Sequence, residues 1–266
     1  MTAPREPAIA AMLADRSIAG SVAIVTGPAH GMGKATAELF AAMGASVAVV
    51  DRDGPGAEAV VAGITSHGGT AAAWAFDLSK RDDIPGVIAA IAQRFGRLDI
   101  IVNNAGIGRF AGFDDDRYDD VWDLTMAINL AAYQRVVRAA LPRLRQAPEP
   151  RIVNIASIEG LGASATLSAY SASKGGVVAL TRAMAVELGA DGITANCLCP
   201  GPIETDLTRF MPPEDRAKFC KRRLVIERFG LAVEVAHMSL NLCLPGSRYV
   251  TGAIIPVDGG LMARNS

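Results

Sequence analysis

Tyr170 and Lys174 lie four residues apart in the stretch AYSASKGG, with only small residues between them. On a helix that spacing puts a phenol and an ammonium on one face. The pair has a chemical use. A phenol can give a proton to a developing alkoxide or take one from an alcohol, but its ordinary pKa of about 10 is too high for efficient base work near neutrality. A neighbouring positive charge stabilises phenolate and lowers that value. The same two residues would also suit a helix that merely carries them, so the surroundings must decide. Ser157 stands thirteen residues before Tyr170, at the end of the run RIVNIAS. A hydroxyl there can hydrogen-bond a substrate oxygen and help stabilise developing charge.

A second group of residues suits a dinucleotide. TGPAHGMG places Gly27, Gly31 and Gly33 after the apolar run SVAIVTG and before the helical pattern GKATAELFAAMG. The spacing is G-x-x-x-G-x-G. Glycines there permit a tight turn, let the backbone approach a pyrophosphate, and open a helix whose N-terminus favours anions. Asp51 ends the next strand run, eighteen residues past Gly33. A carboxylate there can accept from the adenosine ribose hydroxyls and would repel a 2′-phosphate. His30, rather than Lys or Arg, precedes Gly31. These features favour NAD over NADP. Arg52 leaves room for a phosphate, and Asp51 would also serve simply to start the turn DRDGPG.

These residues need a scaffold. Seven strand runs are legible: 21–27, 46–51, 70–77, 98–106, 151–157, 192–201 and 252–260. Segments long enough for crossover helices separate them. The strand runs are apolar throughout rather than alternating, the pattern of a parallel sheet covered on both faces. The expectation is an α/β fold, a single-domain doubly wound seven-stranded parallel sheet with helices on both faces. Residues 20–266 form that domain, and residues 1–19 precede it as a frayed arm. The stretch from Pro200 to Gly230 reads as irregular chain and as a lid, at about residues 202–230.

Bulk properties narrow the partners. Half of the 266 residues are hydrophobic, 20% are charged, and the net charge is −1. That balance argues against nucleic acid or an anionic membrane. The basic run Arg216 to Arg223 reads as a solvated helix face. No apolar run approaches the ~20 residues of a membrane span, and the N-terminus lacks the form of a secretory signal. The four cysteines and three histidines show no metal-ligand spacing. The cysteines read as reduced, buried thiols of a cytoplasmic protein, with no metal.

TGPAHGMG, NNAG (Asn103 to Gly106), Ser157, YSASK, PGPIET (Pro200 to Thr205) and VDGG (Val257 to Gly260) occur in one order. Together they resemble the short form of the short-chain dehydrogenase/reductase family, over about residues 20 to 262. The one departure is Met32, where the family usually carries isoleucine. The resemblance implies a Rossmann sheet that holds NAD. Gly27, Gly31 and Gly33, with His30 and Met32 in the same loop, would line the pyrophosphate. Asp51 would hold the ribose, and Asp77 and Leu78 would touch the adenine. Asn104, Ala105 and Gly106 would lie near the cofactor. Ile203 and Thr205, led in by Pro200 and Gly201, would meet the nicotinamide carboxamide. Tyr170 and Lys174 would lie against the cofactor, and Asn129 would support their proton relay. A homotetramer is also implied, with the helices at 120–145 and 168–188 packing across one interface.

The implied activity interconverts a secondary alcohol and a ketone on a mainly hydrophobic small molecule. Its walls would come from 106–113, 158–164 and 206–224, where Phe110, Phe113, Leu161, Leu207, Phe210 and Met211 mix with Arg109 and Glu159. Two alternatives stay open. PGPIETDLT suggests a 3-oxoacyl-thioester reductase using NADPH. A non-catalytic dinucleotide-binding regulator would keep the glycine loop and Asp51, but it needs no proton donor, and Ser157, Tyr170 and Lys174 are all present.

Overall fold

The apolar runs form a seven-stranded parallel sheet in the computed structural model, which describes residues 15–209 and 211–264. The strands are β1 (Val22–Thr26), β2 (Ser46–Asp51), β3 (Thr70–Ala75), β4 (Ile100–Asn103), β5 (Arg151–Ile155), β6 (Thr194–Pro200) and β9 (Ile254–Val257). Their order in the sheet is β3-β2-β1-β4-β5-β6-β9. Two further short strands, β7 (Ile203–Glu204) and β8 (Gly230–Leu231), pair with each other. The helices are α1 (Gly31–Ala42), α2 (Gly54–Ser66), α3 (Ile84–Phe95), α4 (Tyr118–Met126), α5 (Ala132–Leu144), α6 (Ser168–Leu188), α7 (Pro213–Arg223) and α8 (Ala232–Cys243).

Strand periodicity divides the core in two. Ala23 and Val25 of β1 pack with Phe40 of α1, Val60 of α2 and Val235 of α8. Val22 and Ile24 point the other way, toward Ile88 of α3, Val136 of α5 and Leu188 of α6. Successive side chains of a strand face opposite sides, so a strand covered on both faces must be apolar at every position. Burying each such Val, Ile, Leu or Phe side chain contributes about 1.5–3 kcal/mol. β3 is one of the two edge strands, and its Ala-rich residues are only half-buried.

Strand bounds differ from the sequence reading where the chain turns toward the carboxyl ends. β4 stops at Asn103, because Asn104 to Gly106 leave the ladder to form a wall of the crevice there. The stretch 200–230 is not irregular: it holds β7, a 3-10 turn at Asp206–Thr208, α7, and β8 at its end. The basic run lies on α7, where Arg216 pairs with Glu204 and stacks over Phe229 at 4.2 Å. Residues 1–14 of the arm and Phe210 lie outside the described residues. The rest of the arm is not frayed. Ile18 is buried in the core, and Gly246 N donates to Asp15 O at 2.9 Å.

Candidate active site

The strand order reverses between β1 and β4, and the carboxyl ends of the strands diverge there into a crevice. A cleft of about 630 Å³ occupies it. Gly27, His30, Gly31 and Met32 line it from the loop after β1, and Asp51 from the end of β2. Asp77 and Leu78 line it after β3, Asn104, Ala105 and Gly106 after β4, and Thr205 just after β7. The remaining expected cofactor residues, Tyr170 and Lys174 of α6 among them, do not line it. Gly33 lies beneath the loop. Pro200 and Gly201 continue β6, with Gly201 N donating to Val257 O at 3.0 Å. The Ile203 side chain is buried in the core, so only its backbone is left to meet a ligand.

Close approach explains the glycines. A Cβ on Gly27, at φ +68°, would stand 2.7 Å from Ala105 Cα. One on Gly33 would stand 2.4 Å from Gly27 O and 2.5 Å from Asn104 Nδ2. Asn104 needs that space, because its Nδ2 donates to Thr26 O at 3.0 Å and Gly27 O at 3.1 Å. Thr26 Oγ1 accepts from Asn104 N and Ala105 N, so β1 and the segment after β4 are fastened together. α1 then opens with no acidic residue in its first turn, leaving its positive end to an anion. Asp51 is oriented from both oxygens: Oδ2 accepts from Ala29 N at 2.9 Å and Oδ1 from Asp53 N at 3.0 Å. Each oxygen keeps a lone pair for a further donor. Asp53 stands beside it in the cleft wall, capping α2 through Gly56 N and contacting His30 Nε2 at 3.1 Å.

Ser157, Tyr170 and Lys174 meet at the end of β5. Glu159 N donates to Ser157 Oγ at 3.1 Å. That bond leaves the Ser157 proton free for another acceptor, and the hydroxyl draws the Tyr170 phenol down. Lys174 is buried, donates to Ile155 O at 2.8 Å, and holds its Nζ 5.8 Å from the Tyr170 ring centre. The acid–base balance differs from the sequence expectation. Burial raises the Tyr170 phenol above its ordinary value, the Ser157 hydrogen bond opposes that, and the Glu159 charge adds to it. Burial also lowers Lys174 to about 8, with Cys197 and Cys199 pulling weakly the other way. All four cysteines are free thiols, and all are buried.

Asn129 lies in a π-helical turn, Ala127–Ala131, that joins α4 to α5. Such turns are frequent at functional sites. Its Oδ1 accepts from Ile107 N at 2.8 Å, and its Nδ2 donates to Ile107 O at 2.9 Å and Ser173 Oγ at 3.1 Å. The side chain therefore clamps the start of the 106–113 segment. A Cβ on Gly106 would stand 3.4 Å from both Asn129 Oδ1 and Lys174 Nζ. Both polar groups therefore approach the Gly106 position at the cleft wall.

Sequence reasoning missed Thr26, Asp53 and Tyr133. Tyr133 is four residues past Asn129 on the same helical face, in an alanine-rich stretch. That spacing was visible, but the partners of its hydroxyl, Ala105 O and Ile155 O, are far off in sequence. Among the described residues no group of three or more His, Cys, Asp or Glu could hold a metal. No described helix is long and apolar enough to cross a membrane.

A family model described as enoyl-(acyl carrier protein) reductase matches residues 27–262. The 3-oxoacyl-[acyl-carrier-protein] reductase FabG of Thermotoga maritima is 35% identical, over 91% of this chain and 98% of its own. The chain belongs to the short-chain dehydrogenase/reductase family. The meso-2,3-butanediol dehydrogenase of Serratia marcescens is also 35% identical, over 91% of this chain and 94% of its own. A crystal structure of a candidate short-chain alcohol dehydrogenase from Sinorhizobium meliloti 1021 superimposes with a TM-score of 0.88. It is 34% identical and covers 93% of this chain and 98% of that one. As a short-chain dehydrogenase/reductase the protein is an oxidoreductase that works with a nicotinamide dinucleotide. The residues present fit that group. The glycine loop leaves backbone without side chains, the first turn of α1 carries no acidic residue, and the cleft runs from Asp51 to Gly106.

Proposed function

We propose that the protein is an NAD-dependent dehydrogenase/reductase that interconverts a secondary alcohol and a ketone on a mainly hydrophobic small molecule. The observation that carries this reading is the convergence of Ser157, Tyr170 and Lys174 beside a cleft whose mouth holds Asp51. The dinucleotide supplies the two-electron chemistry when bound, held by the glycine loop, Asp51, Asp77, Leu78, Asn104 and Thr205. The chain supplies the proton and the orientation. Tyr170 Oη gives the proton to the substrate oxygen in reduction and takes it back in oxidation. Ser157 donates to that oxygen and stabilises its developing charge. Lys174 is the charge beside the phenol, and Asn129 approaches the same Gly106 position.

The raised Tyr170 phenol is protonated at neutral pH, the form a donor needs. Ketone reduction is therefore expected to hold its rate toward acid pH, while alcohol oxidation climbs as the phenolate fraction grows. Measuring both directions across pH 6–10 tests the sign. Oxidation that is flat or falls over that range counts against Tyr170 as the base.

Asp51 and Asp53 line the cleft with two carboxylates, and such charges would repel a 2′-phosphate, which supports NAD. Asp51→Ala is expected to weaken NAD binding about tenfold, by loss of charge-assisted hydrogen bonds, and to improve relative use of NADP. Titration of both dinucleotides checks it; an unchanged ratio sinks the ribose role. The exposed Arg52 in the same wall is the observation on the side of a second reading, an NADPH-dependent 3-oxoacyl-thioester reductase. The name of the Thermotoga maritima relative points the same way. An absorbance assay with alcohols, ketones and acyl thioesters against each dinucleotide separates the two. Binding without turnover on the whole panel would favour a regulator.

The substrate walls combine exposed Phe110, Phe113 and Leu161 with the carboxylate of Glu159, which accepts from Ser164 Oγ and Ser171 Oγ. A cytoplasmic homotetramer completes the proposal. Exposed apolar side chains support it, among them Val186 on α6 and Tyr249. Sedimentation as a monomer at micromolar concentration would overturn it.

A further inference from the structure

Lys174 is a buried cation without a carboxylate partner among the described residues. Its neighbours come from four elements. Ile155 O of β5 accepts from Nζ at 2.8 Å. Tyr170 lies one turn away on α6, the thiols of Cys197 and Cys199 approach from β6, and Asn129 Oδ1 approaches the Gly106 position that Nζ also approaches. From α5 comes Tyr133, whose ring centre is 5.5 Å from Nζ, inside the range of a cation–π contact. The Tyr133 hydroxyl is equally committed. It shares its proton between Ala105 O at 2.9 Å and Ile155 O at 3.2 Å. The second of these is the carbonyl that Lys174 also bonds, and Ala105 lines the cleft.

We propose that Tyr133 is a positioning residue for Lys174, its ring face holding the buried ammonium and its hydroxyl fastening the carbonyls of Ala105 and Ile155. The proposal rests on the reading of Lys174 as the charge beside Tyr170. Two features of Tyr133 suit the task. Burial pushes its phenol far up, so it stays a neutral donor at every working pH. It is also fully enclosed, where a cation over a ring gains more than at a wet surface. Without the ring, Lys174 would lose the aromatic face that offsets part of its desolvation and would give up its proton more readily.

The test reads Lys174 directly. The whole protein is labelled at lysine Cε with ¹³C, the Lys174 resonance is assigned with Lys174→Ala, and its titration is followed by NMR. Wild type is expected to titrate near 8. Tyr133→Phe keeps the ring and should stay within about 0.3 pH units, while Tyr133→Leu should titrate about one unit lower. Trifluorophenylalanine at position 133 has nearly the same shape with a depleted π face, and should fall about half a unit below Phe. That variant decides the matter if Leu does not fold. Equal titration in the Phe and fluorinated proteins overturns the ring's role. For the hydroxyl, Tyr133→Phe should raise the Kd for NAD about threefold, since the Ala105 wall loses its tie; an unchanged Kd overturns that part. None of these readouts needs turnover. Dehydrogenase activity that survives Lys174→Ala would defeat the catalytic reading of the lysine, while the titrations would still report on Tyr133.

Discussion

Tyr170→Phe abolishes turnover and leaves NAD binding within about twofold of wild type. The substitution removes one oxygen and keeps the ring. Ser157 stays tied to Glu159 N, and Lys174 stays on Ile155 O, because neither bond involves the phenol. What is lost is the atom that carries the proton, and general acid–base groups contribute about 10²–10⁴-fold to rate. The cleft from Gly27 to Thr205 is untouched, so dinucleotide affinity has no reason to change much. Single-turnover absorbance at saturating NAD, together with a binding titration, gives both numbers. Activity near wild type would remove Tyr170 from the proton path, and joint loss of binding and turnover would mean that the phenol holds the cofactor instead.

The second large effect is expected from Gly33→Ala. Its Cβ would stand 2.4 Å from Gly27 O, 2.5 Å from Asn104 Nδ2 and 2.8 Å from Pro28 Cα. Two of these are backbone atoms, and the third is the amide that clamps Thr26 O and Gly27 O. No side-chain rotation relieves such contacts, so the loop or the start of α1 must move. Overpacking together with the lost hydrogen bonds costs about 2–4 kcal/mol. For a domain of this size that lowers Tm by about 5–10 °C. NAD should protect wild type against heat and fail to protect the variant, because the same backbone frames the cleft. A variant that melts with wild type and is equally stabilised by NAD would show that the loop tolerates the methyl group.

The two experiments probe different kinds of information. Gly33 was legible as part of a spaced glycine pattern, since a tight turn between strand and helix needs residues without side chains. The need for this particular glycine was not, because one of the groups crowding it is Asn104, seventy-one residues away. Asp51 was legible from its place at a strand end. That both its oxygens are oriented by Ala29 and Asp53 depends on the loop conformation. Ile203 was expected at the cofactor by resemblance, yet its side chain joins the core, because β7 pairs with β8 and turns it inward. The stretch 200–230 looked irregular because two-residue strands and a helix of charged residues leave little apolar periodicity to read.

By itself the sequence determined the scaffold and the chemical inventory. Runs apolar at every position can be stable only when covered on both faces, and seven of them alternating with helices leave few arrangements besides a doubly wound sheet. Local spacing likewise put Tyr170 and Lys174 on one helix face. Only the tertiary structure decided how those groups are tuned. Burial raises the phenol and lowers the ammonium, Ser157 rather than the lysine stands out as the group drawing the phenol down, and Tyr133 closes over the cation from another helix. Desolvation and cross-strand carbonyl contacts depend on which segments meet in space, and a linear pattern of residues does not contain that.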